Sequence, residues 1–490
     1  MPAPTTSKLE AAGLLLGPAL FLAVLLLPPA AGMSLPAQRV AALTCWMATW
    51  WLSTPVPLEA TALLPLVCLP ALGVSGFDRA AGPYANSVIF LFMGGFFIAA
   101  AMERWNLHQR VAYGILRLVG TDERRVVLAF MLATGFISMW ISNTATSVMM
   151  MPMAIAVLAL AKAEDLGGPG SPARRHGAFG AALVLGIAYS ASIGGMATLI
   201  GTPPNAIFAA AAKQLYGTTI GFGEWMRVGL PIALVMLPAC WWLLAVRLFP
   251  CRGPIHGLGA RLDAERAGLG PLRGGERFTL IVFVAAVAAW VLRDPKVIGA
   301  VTIPGIATFA PAITDSVIAI GAALVLFIVP FAWSPRGFAL DWPTASRAPW
   351  GMLLLFGGGL SLAEAFQSSG LSEWIGALLS GMAGQPKVIV VAVVATVFVA
   401  LSELASNAAV AAMAMPLLSG IAPAVGQPPL LLMQVAALAS SISFLLPVST
   451  PPNTVAFATG EVSVRQMAKA GIWLDIMSIV LLTVVGTWLI

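Results

Sequence analysis

Ile141-Ser142-Asn143-Thr144-Ala145 interrupts an apolar run that extends from 126 to 161, and Ala405-Ser406-Asn407-Ala408 interrupts a second run from 387 to 424. Both runs are too long for the ~20 residues that one helix needs to cross a bilayer. Each carries its polar knot near the middle, so each reads as a re-entrant hairpin: a helix in, a tip, and a helix back out. Two further long runs, 178–212 and 429–459, are broken by Thr202-Pro203-Pro204-Asn205 and Thr450-Pro451-Pro452-Asn453. These read as spans broken at mid-membrane. Irregular backbone survives at that depth only against protein or a polar cavity. Four such interruptions therefore point to one shared site.

The interruptions also repeat. Ser142-Asn143 recurs as Ser406-Asn407, Pro152 as Pro416, and Phe92-Met93-Gly94-Gly95 as Phe356-Gly357-Gly358-Gly359, all displaced by 264 positions. The Thr-Pro-Pro-Asn loops are displaced by 248, so the connection after the second hairpin is shorter. Five spans separate the start of the first copy from the start of the second: 87–103, 178–212, 228–249, 278–292 and 317–333. An odd number inverts the second copy. Inverted repeats with discontinuous helices mark secondary transporters whose site lies near the midplane.

Composition agrees. Of 490 residues, 59% are hydrophobic and only 9% charged, against roughly 45–50% apolar and about 25% charged in soluble domains. A soluble enzyme, a nucleic-acid module and a disordered scaffold are excluded. The +6 net charge is loop charge that sets orientation. Nineteen of the 26 basic residues fall in the N-terminus and the connections 104–125, 162–177, 247–277, 334–349 and 461–469, and seven on the other side. The first side reads as cytoplasmic, N-terminus included. The expected fold is an all-α polytopic membrane protein of about eleven spans, 59–76 among them, plus two re-entrant hairpins. The apolar run 11–33 after Lys8 reads as a retained first span rather than a signal peptide.

Four cysteines (Cys45, Cys68, Cys240, Cys251) lie in or beside apolar runs without CxxC spacing and read as packing residues. The three histidines, His108, His176 and His256, are expected in polar connections. No HExxH or His–carboxylate cluster offers metal or triad catalysis, so the chain reads as a transporter and not an enzyme.

Ser142-Asn143, Ser406-Asn407, Thr202-Pro203 and Thr450-Pro451 each look like a helix start. Ser, Asn and Thr suit the N-cap, and Pro suits the first helical position. Each start carries about +0.5 of an elementary charge and free N–H donors. Four converging starts attract an anion without any lysine or arginine, and the cores of these segments hold none. The half-helices that end at the same breaks leave free carbonyls. With Ser, Thr and Asn oxygens, they suit a small hard cation. Glu403 is the acid next to a hairpin tip. It is either a functional intramembrane carboxylate or a hydrogen-bonded brace of the hairpin. Glu364 and Glu103 read as interfacial.

On these residues the chain resembles the divalent anion/sodium symporter family. The carriers are Ser142-Asn143-Thr144, Ser402-Glu403-Leu404-Ala405-Ser406-Asn407 and the two Thr-Pro-Pro-Asn loops, and the likeness runs from about residue 11 to 490. The resemblance implies a dicarboxylate held between two sodium ions, Na+ being co-transported. The first ion would use Ser138, Ser142, Asn143 and the Gly201 backbone. The second would use Ser402, the Ala405 carbonyl, Asn407 and Ser449. The anion would meet Ser142, Asn143, Thr144, Thr202, Pro203, Ser406, Asn407, Thr450 and Pro451. It further implies a homodimer in the lipid bilayer and an elevator-like slide. Scaffold spans would lie at 1–125 and 278–386, a cytoplasmic linker at 250–277, and moving parts at 126–249 and 387–490. One position departs: Ala408 stands where the first tip has Thr144. Sodium-coupled uptake of a C4-dicarboxylate leads. A sodium-independent exchanger, or a sulfate or tricarboxylate carrier, is the alternative. A membrane sensor would need a soluble output domain, and no connection reaches 30 residues.

Overall fold

Proline, small polar residues and capping side chains divide the chain into helices, and a computed structural model describes residues 8–164, 174–298, 301–333, 336–378 and 384–489. Much of the 162–177 connection lies outside this set. Helix α1 (Lys8–Leu26) packs antiparallel against α2 (Leu35–Ser53), where Gly13 and Gly17 lie directly against Ser53 and Trp50. Ser34 caps α2 by accepting from Ala37 N at 3.1 Å. Thr54 ends α2 in the left-handed region, φ 47°.

The expected span at 59–76 is not one helix. It is interrupted at Ala62-Leu63, just before Pro65 in the first turn of the next helix, which leaves α3 (Leu58–Thr61) and α4 (Leu64–Ala71), followed by α5 (Phe77–Ala81). The pieces still return the chain along α2, since Gly73 comes to lie against Arg39. Helix α6 (Ser87–Arg104) leads into α7 (Leu107–Val119), an amphipathic arm with Leu107, His108, Ala112 and Leu116 buried. His108 is thus not in a connection; burial holds its imidazole below the usual range. His176 lies within α10, and only His256 occupies a connection.

The first hairpin is α8 (Glu123–Ser138) and α9 (Asn143–Glu164). The first broken span is α10 (Arg174–Gly195) and α11 (Pro203–Tyr216). Helix α12 (Phe222–Trp241) continues as a π-helical segment to Leu248, and α13 (Leu258–Gly268) packs on α7. Helix α14 (Gly274–Arg293), the antiparallel pair β1 (Lys296–Ile298) and β2 (Val301–Ile303), α15 (Ile306–Phe309) and α16 (Asp315–Ile328) follow. A second small pair, β3 (Pro330–Trp333) and β4 (Arg336–Phe338), and α17 (Trp342–Ala345) precede α18 (Trp350–Ser369) and the arm α19 (Leu371–Leu378). The second hairpin is α20 (Lys387–Leu404) and α21 (Asn407–Ala424), the second broken span α22 (Pro429–Ala439) and α23 (Pro451–Ala458), and α24 (Val464–Trp488) is the last span.

Among the described residues, eight helices are long and apolar enough to cross a membrane, and α1, α3–α4, α16 and α22 add shorter apolar stretches. The repeat is visible in the packing. Phe92 of α6 meets Phe356 of α18 edge-on, centroids 5.3 Å apart, at the two Phe-x-Gly-Gly motifs. Helix α11 packs on α21 and α22, and α23 packs on α9 and α10, so each copy's second half-helix docks on the other copy.

Candidate functional site

All four breaks fall where helix starts are expected. Helices α9, α11, α21 and α23 begin at Asn143, Pro203, Asn407 and Pro451. The capping bonds are made at only two of them. Ser142 accepts from Ala145 N at 3.3 Å and Thr450 from Asn453 N at 3.3 Å. Ser406 and Thr202 make no side-chain cap bond. Thr202 and Thr450 share one extended conformation, φ −145° ψ 146° and φ −140° ψ 150°. Proline at the next position enforces that conformation.

At the first break, Ser138 donates to Asn143 Oδ1 at 2.7 Å and lies 2.7 Å from the Ala191 carbonyl. Thr198 donates to the Met139 carbonyl. Gly195 packs against Asn143 so closely that a Cβ would overlap its amide oxygen, and a Cβ on Gly201 would overlap the Gly195 carbonyl. Ser138, Asn143 and Gly201 are therefore gathered in one place.

At the second break, Ser402 lies 3.1 Å from Asn407 Oδ1 and 2.5 Å from the Ser440 carbonyl. Ser443 donates to the same Asn407 oxygen at 3.1 Å. Ser449 donates to the Leu446 carbonyl at 2.8 Å and accepts from Asn453 Nδ2 at 3.1 Å. Ser402, Asn407 and Ser449 thus share one network. Ala405 is extended, with its N–H held by Leu401 O at 3.1 Å.

Exposure separates the expected anion contacts. Ser142, Thr144 and Pro451 are exposed, Asn143, Pro203, Ser406 and Asn407 half-buried, and Thr202 and Thr450 buried. Ala408 is also buried, so the two tips differ in exposure as well as in the hydroxyl.

Asn205 and Asn453 belong to the repeated motif, yet sequence reasoning assigned them no role. Their amide groups close the loops. Asn205 Nδ2 donates to Gly195 O at 3.0 Å and to Thr198 O at 2.7 Å; Asn453 Nδ2 donates to Ser443 O at 3.1 Å and Leu446 O at 3.0 Å. Every partner is displaced by the 248 positions that separate the motifs. The amide oxygens of both asparagines are fully buried and have no hydrogen-bond partner. A buried acceptor left unpaired costs about 1–3 kcal/mol, and the chain carries that cost at two repeat-related points. A hard cation satisfies such an oxygen without a donor.

Glu403 is a brace. Its carboxylate accepts from the N–H groups of Phe444, Leu445 and Leu446 at 2.6, 3.0 and 3.3 Å. Glu364, in the second half of α18, pairs with Arg79 at 2.9 Å and accepts from Gln214 at 2.9 Å. Tyr189 of α10 ties the two copies together, donating to Phe444 O at 2.8 Å.

The chain is similar to known membrane transport proteins. A protein of Staphylococcus saprophyticus named sodium-dependent dicarboxylate transporter SdcS is 38% identical over 482 residues, covering 98% of this chain and 91% of that one. A Staphylococcus aureus protein of the same name is 38% identical, with 96% and 90% covered. The crystal structure of the Alcanivorax borkumensis YdaH transporter has the same fold, with a TM-score of 0.57, 14% identity, and 92% of this chain and 98% of that chain covered. A family model described as the sodium:sulfate symporter transmembrane region matches residues 8–490. With the paired hairpins, the paired broken spans and relatives at that identity, the chain belongs to the sodium:sulfate symporter family, which includes the divalent anion/sodium symporters.

Proposed function

We propose that this protein is a secondary transporter, not an enzyme, that carries a C4-dicarboxylate such as succinate, malate or fumarate across the membrane together with Na+. The observation that carries this reading is the pair of repeat-related oxygen clusters at the helix breaks, Ser138 with Asn143 and Ser402 with Asn407, each next to a buried amide oxygen without a hydrogen-bond partner, that of Asn205 or Asn453. Each is an incomplete oxygen cage of the kind a small hard cation completes. The relatives' names support sodium and dicarboxylate as the pair.

The first Na+ takes Ser138, Ser142, Asn143 and the Gly201 backbone; the second takes Ser402, Ala405 O, Asn407 and Ser449. The dianion lies between, met by Ser142, Asn143, Thr144, Thr202, Pro203, Ser406, Asn407, Thr450 and Pro451. Half-helix starts supply partial positive charge, and the two cations balance the dianion. Each ligand then favours the other's binding, which is the coupling. Residues 126–249 and 387–490 move as one body past a scaffold formed by 1–125 and 278–386, linked by 250–277, in an elevator-like slide. Two copies associate as a homodimer, and the N-terminus faces the cytoplasm, the side richer in lysine and arginine.

The test is uptake of labelled succinate into proteoliposomes with and without an inward Na+ gradient. Uptake is expected only with the gradient. Uptake indifferent to sodium removes the coupling; sulfate or citrate outcompeting succinate moves the substrate.

A further inference from the structure

Phe222 takes no part in the sites described above. It opens α12, and its ring belongs to a group of four. It lies parallel to Trp290 of α14, with centroids 4.8 Å apart and planes at 14°. It also lies parallel to Trp140, at 6.1 Å and 14°. Trp140 stands two residues before Ser142 of the first hairpin tip, and it meets Phe283 of α14 edge-on at 5.1 Å. All four side chains are buried. Trp140 and Phe222 belong to 126–249, the stretch proposed above to move. Phe283 and Trp290 belong to 278–386, the proposed scaffold.

The two rings of α14 are seven residues apart. On a helix this is two turns, about 10 Å along one face. Ala286, also buried, lies between them on the same stripe. The Trp290 indole N–H is held by Asp315 O at 3.0 Å, which fixes that ring. A second ring sliding along this face thus meets an aromatic partner, then a small side chain, then an aromatic partner again. Aromatic pairs prefer stacked or edge-on geometry, so the two ends are favoured over the middle.

Polar ties fix the direction. Lys213 donates to Ser87 Oγ at 2.6 Å, and Phe222 N–H donates to Asp315 Oδ2 at 2.8 Å. Ser87 and Asp315 are the first residues of α6 and α16, and Trp290 lies in the last turn of α14. The 213–222 segment therefore stands level with one end of these helices. From there α14 runs only one way, back through Phe283 to Gly274.

We propose that α14 is a two-station aromatic track for the slide. Phe222 is parked on Trp290 here. In the alternate conformation it stacks on Phe283, about 10 Å further along α14, with the ties from Lys213 and Phe222 N–H released. The inference rests on the elevator-like slide proposed above and gives it a surface, a direction and a step length.

The test follows the uncovering of α6. Val88 is buried and lines a cavity of about 260 Å³ with Lys213 and Gly221. It is replaced by cysteine (V88C), and its alkylation in the purified protein is read by peptide mass spectrometry. Leucine in place of a track ring removes the ring and keeps an apolar side chain. W290L removes the station occupied here and is expected to speed alkylation several-fold. F283L removes the other station and is expected not to speed it, while sodium-driven uptake falls by about tenfold. W290F keeps a ring and stays within about twofold of V88C alone in both readouts. Should W290L fail to fold, K213A, at an exposed position, releases the neighbouring tie and is expected to give the same rise. Lost packing alone would move W290L and F283L in the same direction, so faster alkylation in both, in neither or in F283L alone overturns the track. So does F283L uptake equal to that of W290F. Alkylation requires no transport: absence of sodium-driven uptake in V88C and wild type alike would sink the transport reading, and the alkylation pattern would still decide the track.

Discussion

The first broken span and the second carry the same asparagine clamp, yet they are tied to their hairpins by different chemistry. Position 139 in the first copy corresponds to 403 in the second, and 198 to 446. In both copies the loop donates to the hairpin at these positions. In the first, the Thr198 hydroxyl donates to a main-chain carbonyl, that of Met139. In the second, Leu446 N–H and its two neighbours donate to a carboxylate. A second contrast lies at 195 and 443. Gly195 presses bare backbone on Asn143, whereas Ser443 offers Asn407 a hydroxyl. The lesson is that inversion preserves the clamp while the surroundings of each break are built separately: one neutral and tight, the other charged and rich in donors.

The largest effect is expected at the shared element. Asn143→Ala and Asn407→Ala should each abolish uptake while leaving a folded, membrane-inserted protein, as judged by gel filtration in detergent. Near-normal uptake by both variants would break the site assignment. Next comes Gly195→Ala, which places a methyl group on the Asn143 amide oxygen. Overpacking of this kind costs about 1–3 kcal/mol, and Na+ affinity measured from uptake should fall by about tenfold. Ser443→Ala, at the matching position, removes one hydrogen bond worth about 0.5–1.5 kcal/mol and should weaken Na+ only a few-fold. Equal losses in the two variants would erase the contrast.

The charged tie is tested by Glu403→Gln against Met139→Leu. Hydrogen bonds to charged groups contribute about 1.5–3 kcal/mol each, so the glutamine variant should lower the thermal midpoint clearly and Met139→Leu hardly at all. The smallest effect is Ala408→Thr. The added hydroxyl is expected to reorder competing anions in a counterflow panel by a few-fold. An unchanged order would mean that the difference between the tips is silent.

Much of this organisation is legible in the residues. Serine, asparagine and proline at fixed spacing announce helix starts because their capping and φ preferences are local, and all four starts were placed this way. The pairing of Ser138 with Asn143 and Ser402 with Asn407 followed only from the family likeness, since a five-residue spacing across a turn has no period to reveal it. The clamp made by Asn205 and Asn453 is not legible, since an asparagine after two prolines reads as part of the turn and nothing local shows which carbonyls its amide reaches. The broken crossing at 59–76 was read as continuous because its prolines sit in an unbroken apolar run. The strands β1–β4 are three or four residues long, too short for alternation to register.

Tyr189 gives the two-copy design a mechanical meaning. Its hydroxyl rivets the end of one discontinuous helix to the loop of the other, and its ring leans on Phe444 with centroids 5.0 Å apart. Neither loop can swing off alone without breaking that joint. The two breaks are therefore joined directly, so that a displacement of one draws the other with it.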